Sequence, residues 1–236
     1  TQMATEFGPA CWQARNAEDS PYSRGELARS EDCLTLNVWS PASLGQQRPV
    51  MVWFHGGSFA ILSANSPQYN NPNGLVTKGV VQVSVNHRLG PFGYIAHPLL
   101  TAESGYNGSG NYGQMDLVMA LQWVQDNIAA FGGEPGNVTI FGQSGGGGKV
   151  YSLMNSPQAI GLFHKAIVQS GFAPLDTTGE PGDSLAESEA IGAALFARAG
   201  VESLEEARAL PWTAFAKADL DNSIPRQTYR PNVDYY

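Results

Sequence analysis

The stretch that decides the fold is Val138-Thr-Ile-Phe-Gly-Gln-Ser144-Gly-Gly146. The apolar run 138–141 leads directly into a Gly-x-Ser-x-Gly pattern, and the helix-like segment 145–155 follows it. A strand that turns into a helix at one residue needs strained backbone, so the neighbours two positions to either side must lack side chains. This context predicts that Ser144 projects from the carboxyl end of a sheet as a nucleophile. A glycine-rich turn with an incidental serine is the alternative.

Strand-like and helix-like segments alternate around this turn. Buried strands are indicated by the short apolar runs 50–54, 80–85 and 166–169. The apolar positions of 111–130 recur at helical spacing, and Gly132 and Gly133 end that run. Such alternation predicts an α/β fold with a mostly parallel sheet and helices on both faces.

The character of the chain changes after Gly171. Segments 183–199 and 203–210 are rich in Ala and Glu and indicate helices, and the second begins with a capping-box pattern. We therefore expect a core portion over 1–171 and a helical cap or insertion, itself truncated, over 172–236.

A second glycine-rich turn, His55-Gly-Gly-Ser-Phe59, follows the strand-like run VMVWF. Acyl-transfer enzymes need backbone N–H donors directed at the oxyanion of a tetrahedral intermediate. Glycines after a strand allow the main chain to approach a substrate closely. The amides of Gly57, Ser58 and Gly145 are therefore the predicted oxyanion-hole donors. A plain turn at the end of a strand is the alternative.

Composition excludes several classes of partner. The chain has 236 residues and a net charge of −8, and its 13 basic residues form no cluster. We expect no nucleic-acid or anionic-membrane partner. No apolar run approaches the ~20 residues of a membrane-spanning helix.

The only cysteines are Cys11 and Cys33. They could be two buried thiols, or a disulfide that closes a loop and contributes roughly 3 kcal/mol. Neither metal-ligand spacing nor a Cys-x-x-Cys pair is present, so we expect no metal or cofactor.

Five blocks of the sequence resemble the type B carboxylesterase/lipase family, and they follow one another in the same order as in that family. They are SEDCLTLNVWSP (30–41), PVMVWFHGGSF (49–59), VSVNHRLGPFGY (83–94), 110–146 and 161–171. The resemblance implies an α/β-hydrolase fold and hydrolysis of carboxylic esters through an acyl-serine intermediate.

The resemblance also carries roles onto individual residues. It assigns Ser144 as the nucleophile and Gly57, Ser58 and Gly145 as the oxyanion-hole amides. It implies a Cys11–Cys33 disulfide, an ion pair between Arg88 and Asp116 beneath the site, and a supporting position for Ser170 near the catalytic histidine.

One departure from the family bears on the substrate. The residue before the nucleophile is usually Glu, and here it is Gln143. This favours small uncharged carboxylic esters over choline esters.

A serine nucleophile needs a histidine base and an orienting carboxylate. Each of the four histidines, His55, His87, His97 and His164, has a structural explanation. In this fold the acid and the histidine follow the serine in the chain, and family spacing puts both beyond Tyr236. We therefore expect a fragment that lacks upstream edge strands and the C-terminal portion and has little turnover alone.

Two other functions remain open on sequence grounds. A non-enzymatic adhesion-type relative would keep the fold for binding, although such relatives typically lose the nucleophile. A thioesterase or peptidase on the same fold is the other. A disulfide would favour a secreted or periplasmic location.

Overall fold

A five-stranded sheet forms the centre of the molecule. The computed structural model describes residues 6–13, 28–41, 46–66, 74–171, 184–220, 229 and 231–232. Its strands are β1 (Ala10–Cys11), β2 (Arg29–Ser30), β3 (Leu36–Trp39), β4 (Arg48–Phe54), β5 (Val81–Val85), β6 (Gly133–Gln143) and β7 (Lys165–Gln169). The central sheet has the order β3-β5-β4-β6-β7, and the short strands β1 and β2 pair separately.

The sheet is mostly parallel, as the alternation of elements predicts. The pairs β4–β5, β4–β6 and β6–β7 are parallel, and only β3 runs antiparallel, along the outer side of β5. The carboxyl ends of β4, β6 and β7 therefore meet at one edge of the sheet. Both glycine-rich turns begin at that edge.

The helices are α1 (Gly90–Tyr94), α2 (Pro98–Glu103), α3 (Tyr112–Asn127), α4 (Gly145–Met154), α5 (Leu185–Ala199), α6 (Leu204–Ala209) and α7 (Trp212–Leu220). The predicted helix over 111–130 is confirmed as α3 with a 3-10 turn, Ile128–Phe131, at its end. Leu117, Leu121 and Val124 are fully buried against the valines of β4 and β5. Their spacing of three and four residues puts them on one face of α3.

All four predicted strands are confirmed, with bounds that differ from the predicted ones by one or more residues. β4 starts two residues before the predicted run, and its register with β6 shifts between Arg48 and Val50. Pro49 lies at this shift, and its missing N–H cannot continue the ladder. β6 begins at Gly133 rather than Val138.

Helices α5 to α7 share a second apolar cluster with α1. Tyr94 and Ile95 pack there with Leu195 and Phe196 of α5. A methyl group on Gly192 would collide with the carbonyl oxygen of Ala96, so α5 lies directly against the backbone that follows α1.

The starts of α5 and α6 are capped. Ser184 and Ser203 each form a full capping box, the second being the predicted one. The proposed boundary between core and cap falls at 172–183, outside the described residues, so that division stays a prediction.

The structure contains the disulfide between Cys11 and Cys33, and both half-cystines are buried. Cys11 ends β1, which pairs with β2 just before Cys33. Among the described helices, none combines the length and the apolar character needed to cross a bilayer.

Candidate active site

Ser144 occupies the turn between β6 and α4. Its φ of 57° and ψ of −124° lie outside the usual regions for a side-chain-bearing residue. Its N–H donates to the carbonyl oxygen of Gln169 at the end of β7 (2.9 Å), and its own carbonyl oxygen accepts from the N–H of Gly148 (3.1 Å). The residue is exposed. The strained backbone is thus held from both sides while the hydroxyl stays open to solvent.

The glycines flanking Ser144 are required by backbone packing. A Cβ on Gly142 would stand 2.5 Å from the carbonyl carbon of Gly146 and 2.8 Å from the carbonyl oxygen of Phe54. A Cβ on Gly146 would collide with that same Phe54 oxygen and stand 3.0 Å from the carbonyl oxygen of His55. The ends of β4 and β6 and the start of α4 therefore meet backbone to backbone.

The turn after β4 lies against the start of α4. Gly57 and Ser58 both have positive φ, 81° and 56°. A Cβ on Gly145 would lie 2.5 Å from the Cα and 2.6 Å from the nitrogen of Ser58, and one on Gly56 would lie 3.6 Å from the Cβ of Ser144. The fold thus brings Gly57, Ser58 and Gly145 together beside Ser144.

The amides of these three residues are available as donors. Within the described part of the chain, the N–H groups of Gly57, Ser58 and Gly145 donate to no backbone or side-chain acceptor. Gly145 also opens α4, whose N-terminal amides favour negative charge. The arrangement can therefore accept a developing oxyanion next to a serine hydroxyl.

A buried cluster of three bases lies behind this turn. His55 and His87 are fully buried and stack with ring centroids 4.8 Å apart. Burial, and then the charge of Lys149, lowers the pKa of each histidine well below its usual range. Lys149 is also fully buried, and its Nζ donates to the carbonyl oxygen of His55 (2.9 Å). Burial lowers the pKa of Lys149 to about 7.

None of the four histidines hydrogen-bonds to Ser144 within the described residues. Nδ1 of His55 and of His87 each lies 2.9 Å from a neighbouring carbonyl oxygen, and their Nε2 atoms have no partner. His97 accepts from an amide of α2 (3.1 Å) and stacks on Phe196. His164 accepts from the N–H of Val138 (3.2 Å), which lies about 16 Å along β6 from the serine end at the usual strand rise.

Arg88 and Asp116 form an ion pair that joins the segment after β5 to α3. Nη2 of Arg88 lies 2.6 Å from Oδ1 of Asp116, and Nε and the backbone nitrogen of Arg88 each lie 2.9 Å from Oδ2. The hydrogen bond to Asp116 raises the pKa of the Arg88 guanidinium. The pair positions the backbone between β5 and α1.

Gln143 and Ser170 both border the site. Oε1 of Gln143 lies 3.7 Å from where a Cβ on Gly56 would stand, so its side chain faces the turn after β4. Ser170 directly follows β7 and has a φ of 47°, and the following Gly171 packs against the backbone of Gly147. In the described part of the chain, no three His, Cys, Asp or Glu side chains group as ligands for a metal ion.

The sequence alone did not single out Lys149. A lone lysine after a run of glycines is indistinguishable from a surface cation until the packing around α4 is known. Its one signal is the small and apolar character of every neighbour from Gly145 to Val150.

Comparison with known proteins identifies the family. The model of the Carboxylesterase family matches residues 1–231. Fumonisin B1 esterase of Sphingopyxis macrogoltabida is 40% identical over 234 residues, which are 98% of this chain and 41% of that protein. Para-nitrobenzyl esterase of Bacillus subtilis (strain 168) is 43% identical over 169 residues, 71% of this chain and 33% of that protein.

The solved structures agree. The Geobacillus stearothermophilus carboxylesterase EST55 superposes with a TM-score of 0.80 at 35% identity, covering 97% of this chain and 46% of that one. The chain thus spans less than half the length of these relatives. The α/β-hydrolase fold implied by the sequence blocks is confirmed, and the chain belongs to the carboxylesterase family.

Proposed function

We propose that the protein containing these residues hydrolyses carboxylic esters, with Ser144 as the nucleophile. The observation that carries this proposal is the exposed Ser144 on a strained turn beside three amides without acceptors. Oγ of Ser144 attacks the ester carbonyl carbon while a general base takes its proton. The amides of Gly57, Ser58 and Gly145 hold the negative charge on the carbonyl oxygen. Collapse expels the alcohol and leaves an acyl-serine, which water then hydrolyses to the acid.

Covalent labelling tests the nucleophile. The complete protein is treated with a fluorophosphonate probe and assayed with p-nitrophenyl acetate, as wild type and as Ser144→Ala. We expect Ser144→Ala to abolish labelling and turnover. Ser152→Ala is the matched control, since Ser152 lies in the same helix with its hydroxyl bonded to the Gly148 carbonyl oxygen. Labelling that persists in Ser144→Ala would place the reactive nucleophile elsewhere and overturn the proposal, and a wild-type protein that does not label would reopen a non-enzymatic function.

We further propose that the general base lies outside residues 1–236. The positions of the four histidines support this, because each is buried, stacked or hydrogen-bonded away from Ser144. The isolated chain, folded by circular dichroism, is expected to hydrolyse p-nitrophenyl acetate at least about 10³-fold more slowly than the complete protein. Turnover by the isolated chain that Ser144→Ala removes would refute this.

Two finer aspects extend the proposal. Gln143 is an uncharged residue beside the turn, which favours uncharged esters as substrates. Uncharged butyrate esters should therefore be hydrolysed faster than the cationic ester butyrylcholine. The disulfide between Cys11 and Cys33 supports a secreted or periplasmic location. Fractionation of the producing cells, with the protein recovered from the cytoplasm only, would contradict that location.

A further inference from the structure

Lys149 is a fully buried cation without a carboxylate partner among the described residues. Lysine is almost never fully buried unless it is paired. The contacts of its ammonium group in the described structure are the carbonyl oxygen of His55, at 2.9 Å, and the ring of Phe59, whose centroid is 5.6 Å away. Burying an amino group without a carboxylate partner costs free energy. We therefore expect Lys149 to have a role that an apolar side chain could not fill.

Its two contacts lie at the two ends of one turn. His55 directly follows β4, and Phe59 directly follows the two positive-φ residues Gly57 and Ser58. Glycine backbone has wide conformational freedom, so amides in such a turn are poorly fixed by the turn itself. A hydrogen bond at one end and a cation–π contact at the other restrain it as a unit.

The same side chain connects this turn to the nucleophile. Lys149 belongs to α4, the helix that starts directly after Ser144. A rigid helix therefore carries both Ser144 at its start and the group that holds the turn after β4. Helix α4 thereby fixes the distance between Ser144 and the amides of Gly57 and Ser58.

We propose that Lys149 is a positioning residue that fixes the turn His55–Phe59, so that the Gly57 and Ser58 amides are directed at the oxyanion formed at Ser144. This inference rests on the proposed ester hydrolysis. Lys149 touches neither the ester nor the reacting atoms. It acts through the backbone of the turn.

The hydrogen bond to the carbonyl oxygen of His55 does not depend on the charge of the amine, whereas the contact with the Phe59 ring is strongest when the amine is charged. Burial lowers the pKa of Lys149 to about 7, and the titratable groups that face it, His55 and His87, are held neutral by burial and by Lys149 itself. An amine donates N–H to a carbonyl oxygen in either protonation state. A neutral donor at this position should therefore preserve the hydrogen-bonded end of the turn, at His55.

The test compares Lys149→Met, which has no donor, with Lys149→Gln, which keeps a neutral one, in the complete protein. The kcat and KM for p-nitrophenyl acetate are measured from pH 6 to 9, with active sites counted by fluorophosphonate titration. Affinity for a trifluoromethyl ketone, which forms an oxyanion at the nucleophile, reports on the oxyanion-hole amides. Lys165→Met is the matched control, an exposed lysine on β7 that bonds Asn137.

We expect Lys149→Met to lower kcat per active site by about 10- to 100-fold, less than full loss of an oxyanion donor. KM should stay within about threefold, the ketone affinity should fall in parallel with kcat at every pH, and Lys149→Gln should recover most of both. Lys165→Met should behave as wild type. A merely structural role would lower the number of titratable sites and the melting temperature, but not kcat per site.

Several results would overturn the inference. One is a folded Lys149→Met protein whose kcat per site and ketone affinity stay within threefold of wild type. Another is a loss of kcat without loss of ketone affinity. If Lys149→Met does not fold, Lys149→Leu replaces it, and failure of both to fold would assign the residue to stability alone. Unchanged turnover in Ser144→Ala would instead refute the proposed function, so the two failures are separable.

Discussion

Substituting Gly146 by alanine should damage both the stability of the fold and the reactivity of Ser144. The added Cβ would collide with the carbonyl oxygen of Phe54 and stand 3.0 Å from that of His55. Both obstacles are backbone atoms, which cannot rotate away. Restoring ordinary contact requires α4 to move from β4 by on the order of 1 Å. Overpacking typically costs 1–3 kcal/mol, and with backbone on both sides we expect about 3 kcal/mol.

The consequences can be measured in two ways. At an unfolding entropy of about 2.1 cal/mol/K per residue, about 3 kcal/mol lowers the melting temperature by roughly 6 °C for a folding unit of this length and by roughly 3 °C for one twice as long. A shift of the nucleophile by about 1 Å should slow fluorophosphonate labelling of Ser144 about 100-fold. Both are determined on the complete protein, by scanning fluorimetry and by gel-based labelling.

Gly136→Ala is the matched control, because it makes the same change within β6 where a Cβ would meet nothing within 4 Å. We expect its stability to stay within about 0.5 kcal/mol of wild type. The backbone-to-backbone packing around Ser144 would be refuted by a Gly146→Ala protein that has the same melting temperature as Gly136→Ala and is labelled by the fluorophosphonate at the wild-type rate.

Three further changes probe other parts of the chain. Cys33→Ser, which opens the bridge to Cys11 across a separation of 22 residues, should lower the free energy of unfolding by about 3 kcal/mol; an unchanged urea midpoint would contradict this. Gly192→Ala should weaken the packing of α5, because its Cβ would collide with the Ala96 carbonyl oxygen. Limited proteolysis within α5–α7 should therefore be faster in Gly192→Ala than in wild type, and equal rates in the two proteins would contradict this. Burial lowers the pKa of Lys149 to about 7 from 10.5, so between those pH values the folded state binds fewer protons than the unfolded state and stability rises with pH. Between pH 7 and 9 this gain is about 2 kcal/mol, and urea midpoints at these two pH values should show it in wild type but not in Lys149→Met.

The turn around Ser144 could be predicted from sequence because its requirements are local. A residue with a φ of 57° between a strand and a helix leaves no room for side chains two positions away. Gly142 and Gly146 therefore mark the turn directly, and each is explained by a collision in the structure. The turn at Gly57 and Ser58 was located by its glycines after a strand, and the structure adds that both residues have positive φ.

Several short elements were not predicted, and two of them, β3 and α7, depend on distant contacts. β3 is an edge strand of four half-buried residues, and its pairing with β5 was not evident from so short a run. α7 begins directly after Pro211 and has mixed composition. Its place comes from α5, since Phe196 packs edge-on against Phe215. Neither partner can be read from the segment itself.

Lys149 was missed for a related reason. Sequence gives the residue type, whereas its role depends on full burial and on the carbonyl oxygen of His55, far away along the chain. Charge patterning treats an isolated lysine as a solvated group. Only the approach of α4 to the end of β4 makes it part of the site.

The geometry separates the positioning of the nucleophile from its activation. Ser144 is held by the Gln169 carbonyl oxygen of β7 and by the glycine contacts of α4 with β4. None of these contacts involves a histidine side chain or a carboxylate, so they would persist in a protein whose base is removed or replaced. Covalent reaction of Ser144 with a fluorophosphonate, and its addition to a trifluoromethyl ketone, should in contrast both need the base. On this view, the sheet places the serine, and a separately supplied histidine decides whether it reacts.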